Sequence, residues 1–233
     1  MSGTAAPATN PGPGLLDLGP IAQLRAGRLL RRLPQLFVGL VLYGASLAFM
    51  VRGAVGLAPW DVLHSGVIRH VPLTLGQAVV VMSFVVLVLW IPLREMPGLG
   101  TISNALVVGF SADGTLLLLD RPDSLVLRII LMIGGVLVCG LATALYIGAQ
   151  LGRGPRDGLM TGLSRRTGLS IRLVRTGLEV AVVLIGLTLG GVLGVGTVVY
   201  ALAIGPVTQA LMPYFLVDLS GATAVDPAPR HEQ

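Results

Sequence analysis

The sequence GLAPWDVL at residues 56–63 returns as GRGPRDGL at residues 152–159, a shift of 96 positions. The shift continues without a gap over residues 37–119 and 133–215, and Gly, Pro, Asp, Arg and Thr positions coincide along it. Composition bias aligns Gly with Gly or Leu with Leu, but it does not readily align Pro, Asp and Arg at one spacing. The chain is therefore predicted to contain an internal repeat.

The composition places this repeat in a membrane. Of the 233 residues, 54% are hydrophobic and 12% are charged, and every one of the sixteen basic residues is Arg. The charges are bunched, and the gaps between them are long enough to cross a hydrocarbon core about 30 Å thick. This pattern excludes a soluble enzyme.

We predict an all-α, polytopic helical membrane protein with about six spans. At about 20 residues per crossing, the spans fall at residues 33–51, between His70 and Arg94, at 101–119, between Arg128 and Arg153, and twice within 179–218, which the glycine-rich turn at 190–196 divides. The predicted regions are a disordered N-terminal tail with an Arg cluster (1–32), a first repeat (33–120), a second repeat (127–217) and a short tail (218–233).

The arginines also predict the orientation, because basic residues near span ends are retained on the cytoplasmic side. Four of them, at positions 25, 28, 31 and 32, precede the first span, and five lie between the fourth and fifth spans, at 153, 156, 165, 166 and 172. Both termini are then predicted to be cytoplasmic.

The number of spans in each repeat predicts how the two copies are related. Because three is odd, the second copy enters the membrane from the side opposite to the first, so the repeats are expected to be inverted. Inverted repeats around an axis in the membrane plane are a recurring plan of secondary transporters, with the substrate site where the halves meet.

The repeated motif predicts a short helix that begins at a proline. Its framework residues are Gly56, Pro59 and Gly66 in the first copy and Gly152, Pro155 and Gly162 in the second. A polar face carries Asp61, Ser65 and Arg69 in the first copy and Asp157, Thr161 and Arg165 in the second. About twelve residues reach about 18 Å, which is too short to cross. Each copy is either an amphipathic helix in the interface or a half-helix that enters the protein and lines a polar path.

Further polar groups lie within the predicted spans, where burial is costly unless they are paired or hydrated. Asp113 and Gln209 occupy equivalent positions of the two repeats, and we include both in the polar path. Glu179 follows Arg175 by one helical turn, so it belongs either to the path or to a self-neutralising pair near the interface.

The remaining histidine and aromatic side chains are predicted to have no part in the polar path. His64 and His70 are expected in surface loops, and Trp60, Trp90 and Tyr214 as interfacial anchors. No enzyme motif, metal-ligand spacing or phosphate loop is present in the sequence, so we predict no catalytic residue, no metal and no cofactor.

The two loop motifs, together with residues 191–197 and Gly205-Pro206, resemble the YczE/YyaS/YitT group of bacterial integral membrane proteins. The resemblance covers roughly residues 35–217, and the motifs are most similar to the YczE branch. It implies the membrane class and the repeat. It implies no substrate, because the group is largely uncharacterised.

Two functions from different classes remain. The first is a gradient-driven transporter or channel-like protein for a small polar or ionic solute. The second is a non-transporting scaffold that docks protein partners through its cytoplasmic Arg-rich face. The lipid bilayer is the one partner that both share, nucleic acid is not expected, and a homo-oligomer is left open.

Overall fold

The computed structural model describes Leu15 and residues 18–219. In this part of the chain, the regular secondary structure consists of α-helices joined by loops. The helices are α1 (Pro20–Arg25), α2 (Leu29–Gly53), α3 (Pro59–Val67), α4 (Leu75–Leu93), α5 (Leu99–Leu118), α6 (Leu125–Gly148), α7 (Pro155–Thr167), α8 (Ile171–Thr188) and α9 (Val195–Phe215). The predicted all-α class is confirmed.

Among the described residues, five helices are long and apolar enough to cross a membrane: α2, α4, α5, α6 and α9. The predicted fifth span corresponds to α8, which begins eight residues earlier than the uncharged stretch and so includes Arg172, Arg175 and Glu179. Large apolar side chains cover the outside of the helices, among them Leu118 (90% exposed) and Leu202 (73% exposed). Such a surface requires an apolar solvent.

The succession of helices occurs twice. The helices α2, α3, α4 and α5 begin at residues 29, 59, 75 and 99, and α6, α7, α8 and α9 begin at 125, 155, 171 and 195, each 96 positions later. Left-handed backbone angles recur in the same way at Ala54 (φ 48°) and Gln150 (φ 53°). The inversion of the two halves across the membrane stays a prediction.

The long helices α2 and α6 pack against each other at the centre, with α5 against α2 and α9 against α6. The short helices cross over: α3 packs on α8, and α7 packs on α4. The core between the long helices contains fully buried Leu36, Leu40 and Met50 on α2 and Cys139 on α6. Each short helix is thus held by the other half of the chain.

The N-terminal prediction was wrong in part. Residues 20–25 form α1 and α2 begins at Leu29, so the segment from 20 to 32 is largely helical rather than a disordered tail. Arg32, which we assigned to a cytoplasmic cluster, is fully buried, and its guanidinium donates to backbone carbonyls. Residues 1–14, 16, 17 and 220–233, which include most of the predicted C-terminal tail, lie outside the described residues.

The structure distinguishes the two interpretations of the short helices. All residues of α3 except the last are buried, so α3 lies inside the protein and not along an interface. The helix α7 is buried through Gly162 on its inner side and exposes Arg165 and Arg166 at its end. Both begin with Pro at a first helical position, where the missing N–H would be unpaired in any case.

Candidate functional site: adjoining cavities between the short helices

Close glycine contacts position the two short helices. A Cβ on Gly66 of α3 would lie 2.7 Å from the carbonyl oxygen of Gly186 on α8. On α7, a Cβ at Gly158 would collide with the Trp90 ring, whose Nε1 donates to the Pro155 carbonyl at 2.8 Å. Only glycine permits these approaches, so α3 and α7 reach the centre of the molecule.

The motif glycines before the short helices are equally constrained. Gly56 (φ +153°) and Gly152 (φ +126°) adopt backbone angles that side chains disfavour. A Cβ on Gly56 would lie 2.6 Å from the Thr197 nitrogen, and one on Gly152 would lie 3.0 Å from the Thr101 hydroxyl oxygen. Each loop is therefore pressed against the first turn of a helix from the other half.

The first cavity, about 50 Å³, lies beside α3 and is bordered by α2, α4 and α5. Asp61 is buried there, and its Oδ1 lies 3.0 Å from His64 Nδ1. Apolar side chains form much of the remaining wall, including those of Leu47, Val79, Val86 and Val108. The expectation of a surface position for His64 was wrong, because His64 is buried against Asp61, whereas His70 is exposed as predicted.

The second cavity, about 170 Å³, lies at the equivalent place in the second half, among α6, α7, α8 and α9. The Tyr146 hydroxyl donates to Asp157 Oδ2, and Arg175 Nε donates to Glu179 Oε1 at 2.9 Å. Gln209 is exposed and also borders this cavity. The structure thus brings Asp157, Glu179 and Gln209 together, and the predicted Arg175–Glu179 pair forms within the cavity wall.

Tyr43, Trp60 and Arg156 border both cavities and form the wall between them. The Arg156 guanidinium carbon lies 4.9 Å from the centre of the Tyr43 ring, which is cation–π geometry. The Tyr43 hydroxyl and Trp60 Nε1 are buried and have no hydrogen-bond partner. Neither Trp60 nor Trp90 is the interfacial anchor that we predicted, because both are buried, whereas Tyr214 is exposed.

A third cavity, about 270 Å³, adjoins the second and shares Asp157, Met160 and Arg175 with it. Thr161 and Gln23 also border this third cavity. Asp157 therefore borders both the second and the third cavity, which together are called the passage.

An asymmetry between the halves accounts for the larger second cavity. Gly76 of α4 and Gly109 of α5 touch so closely that a Cβ on either would collide with the carbonyl of the other. The residue 96 positions after Gly76 is Arg172, and α8 is not closely packed on α9 as α4 is on α5. The space between α8 and α9 is part of the second cavity.

Four predicted path residues lie away from the cavities. Asp113 caps α4, accepting hydrogen bonds from the Thr74 hydroxyl at 2.5 Å and from the Gly76 N–H at 2.8 Å. Buried Ser65 accepts from the Val192 N–H at 3.0 Å and holds the turn after α8. These two positions are structural in the described conformation.

The arginines at the C-terminal ends of the short helices also lie away from the three cavities. Arg69 is exposed beside Gly190, and Arg165 is exposed and pairs with Glu95. Both were predicted to line the path, and these predictions were wrong. Helix-dipole complementarity explains their position at a helix C-terminal end.

The sequence reasoning missed the aromatic wall and Arg156. Tyrosines in apolar helices give no periodic signal that separates a cavity wall from a core. Arg156 was counted only among the cytoplasmic arginines, as a topology signal and as part of the Arg-rich docking face. The repeat alignment did contain a hint, since Arg156 stands 96 positions after Trp60 and both flank the motif Pro. Among the described residues, no group of three or more His, Cys, Asp or Glu side chains could hold a metal ion.

Comparison with known proteins gives a family but no activity. The model of a family of unknown function, DUF6198, matches residues 30–213. An uncharacterised protein of Haemophilus influenzae is 40% identical over 140 residues, which are 60% of this chain and 64% of the relative. The uncharacterised membrane protein YczE of Bacillus subtilis is 30% identical over 141 residues (60% and 66%), and YyaS of the same organism is 26% identical over 137 residues (56% and 68%).

The matched segment spans less than two thirds of the first two relatives. No solved structure matches the chain. The predicted resemblance to the YczE/YyaS group is confirmed, and the similarity to the membrane protein YczE supports the membrane class without naming a substrate.

Proposed function

The chain belongs to DUF6198, a family of unknown function, and it is similar to the membrane protein YczE. From this premise we propose that it is a gradient-driven transporter or channel-like protein for a small polar or ionic solute. In this proposal it is not an enzyme. It resides in the bacterial cytoplasmic membrane with both termini in the cytoplasm.

One observation carries the proposal: Asp157 borders two adjoining cavities in the interior of an apolar helical bundle. Ionisable groups at such depth are costly, and in membrane proteins they typically mark a solute or proton pathway. Asp157 is only half-buried, and Glu179 borders the second cavity with it. A scaffold that only docks partners has no need of this arrangement.

The position of the third cavity gives the pathway an entrance. This cavity is bordered by Gln150 and Arg153 in the loop between α6 and α7, which the Arg distribution predicts to be cytoplasmic. In this proposal, the solute therefore reaches Asp157 from the cytoplasmic side through the third cavity.

Solute passage is tested with purified protein in liposomes. Vesicles are shifted into hyperosmotic solutions of urea, glycine, sodium acetate, ammonium chloride or potassium chloride, and light scattering reports how fast each solute enters. We expect the wild-type protein to accelerate entry of at least one solute at least tenfold over protein-free vesicles. Asp157→Asn is expected to abolish the acceleration, and Asp120→Asn, in an exposed loop, is expected to preserve it.

Asparagine keeps an oxygen that accepts from the Tyr146 hydroxyl, so Asp157→Asn preserves the local hydrogen bond while removing the charge. Equal elution of the two variants on size exclusion checks that both are folded. Wild-type vesicles that are no more permeable than protein-free vesicles to the whole panel contradict the proposal. Equal entry rates for wild type and Asp157→Asn would contradict the role of the carboxylate.

A further inference from the structure

The wall between the first two cavities contains a cation that is not neutralised. The carboxylates that border these cavities are all engaged: Asp61 with His64, Asp157 with Tyr146, and Glu179 with Arg175. Among the described residues, Arg156 makes no hydrogen bond or ion pair, and its one specific contact is with the face of the Tyr43 ring.

Two neutral groups beside Arg156 also lack partners. Tyr43 is 4% exposed and Trp60 is 7% exposed, and the Tyr43 hydroxyl and Trp60 Nε1 have no hydrogen-bond partner. A buried polar group without a hydrogen-bond partner destabilises the folded protein. Two such groups lie in one wall beside an unpaired guanidinium. This arrangement indicates a binding site in which the ligand provides the missing hydrogen-bond partners.

The chemistry of the three groups selects the ligand. An Arg guanidinium offers a planar set of N–H donors that matches a carboxylate, Trp Nε1 donates only, and a Tyr hydroxyl can also donate. Carboxylate oxygens accept hydrogen bonds from all three types of donor. A cation or a neutral molecule would leave the positive charge of Arg156 without a counter-charge.

The two cavities restrict the size and shape of the ligand. On one side of the wall, the first cavity is small and largely apolar, with Leu47, Val79 and Val108 around it. On the other side, the second cavity is larger and polar. A short aliphatic chain fits the first, and the charged end then remains at Arg156.

From these observations we infer that the protein binds a small aliphatic monocarboxylate, with its carboxylate on Arg156 and Trp60 and its apolar end in the first cavity. This inference rests on the proposed function, because it names the solute class of the same passage. The ligand class is shared by free metabolites and by membrane fatty acids, and chain length distinguishes these two sources.

Binding is measured on purified protein in detergent from tryptophan fluorescence and from the unfolding temperature, with acetate, butanoate and hexanoate and the matching primary amides as probes. Trp60 lies in the site and is one of two tryptophans in the chain, so bound carboxylate is expected to change the fluorescence saturably. We expect the carboxylates to bind at least tenfold more tightly than the amides and to raise the unfolding temperature.

The variants isolate the guanidinium. Arg156→Gln is expected to weaken butanoate binding at least tenfold, and Arg156→Lys, which keeps the charge, is expected to restore part of it. Arg166→Gln, an exposed position on the same helix, is expected to bind as the wild type does. The comparison of carboxylate with amide on the wild-type protein remains decisive even if Arg156→Gln does not fold.

Three results would overturn the inference: wild-type protein that binds no carboxylate, amides that bind as tightly as carboxylates, or affinity that keeps rising far beyond hexanoate, as partition of fatty acids into an apolar surface would give. The proposed function is judged separately. Solute entry that depends on Asp157, without carboxylate binding, refutes the inference alone, whereas carboxylate binding without entry of any solute refutes transport alone.

Discussion

At the scale of single residues, two arginines 96 positions apart close the C-terminal ends of the two longest helices. Arg32 donates from Nε to the Ala149 carbonyl at 2.8 Å and from a terminal nitrogen to the Gln150 carbonyl at 2.7 Å, just after α6. Arg128 does the same after α2, donating to the Gly53 and Ala54 carbonyls at 2.8 and 2.7 Å. A cation at a helix C-terminus satisfies carbonyls that have no partner in the helix.

We expect Arg32→Gln to destabilise the protein by about 2–4 kcal/mol, because several buried carbonyls lose their donor. Thermal unfolding in detergent measures the effect. The matched control is Arg31→Gln, one position earlier and exposed, which is expected to shift the unfolding temperature little. Similar shifts for both variants would mean that Arg32 acts only through net charge.

At the scale of elements, the contact between α3 and α8 depends on helix surfaces without side chains. The Gly186 position lies against the backbone of α3, where an added Cβ would be 2.7 Å from the Leu63 nitrogen. Backbone atoms cannot rotate away as a flexible side chain can. The depth of α3, and with it the position of Asp61, follows from this contact.

Gly186→Ala is therefore expected to cost about 1–3 kcal/mol of stability through overpacking. Gly177→Ala on the same helix has open space around its Cβ and is expected to be neutral or to gain up to about 1 kcal/mol from helix propensity. Unfolding temperatures of the two variants provide the comparison. If Gly186→Ala is as stable as Gly177→Ala, the contact between α3 and α8 is looser than described.

At the scale of the whole molecule, the two halves share one order of helices but differ in how tightly they close. The α4–α5 pair is closed by glycines and the α8–α9 pair is not, and the second cavity extends between α8 and α9. If the halves are inverted in the membrane, this difference becomes a difference between the two sides of the membrane.

Sidedness tests the inversion. His70, just after α3, and Arg166, in the last turn of α7, occupy equivalent positions of the repeat, and both are exposed. The motif residue Ser65 is buried and unsuitable for labelling. Single cysteines at these two positions, in a Cys139→Ala background, are treated with a membrane-impermeant maleimide on intact cells and on inverted vesicles. We expect His70→Cys to react only in cells and Arg166→Cys only in inverted vesicles.

Labelling of both cysteines from the same side would contradict the inversion and the predicted count of six spans. The passage described above would then have to be assigned to the membrane differently. A Cys139→Ala protein without a further cysteine serves as the blank, since Cys139 itself is buried and free.

The sequence by itself determined the membrane class, the helical fold and the approximate spans, because apolar length and charge spacing are local properties that no tertiary contact overrides. Of the residues that it predicted for a polar path, Asp61, Asp157, Thr161, Glu179 and Gln209 border the cavities, and their role in a path stays a prediction. The start of α8 was misplaced, because its charged first turns look like a loop when only hydropathy is considered.

Only the tertiary structure decided what each polar group does, because that depends on which partner it meets across the chain. Asp113 caps a helix, buried Arg32 donates hydrogen bonds to backbone carbonyls, and Arg165 forms an ion pair with Glu95. His64 and Trp60 moved from the expected surface to a cavity wall, since glycine contacts draw α3 into the core. A side chain's type and spacing restrict its chemistry, but burial and partners are set by packing between segments far apart in sequence.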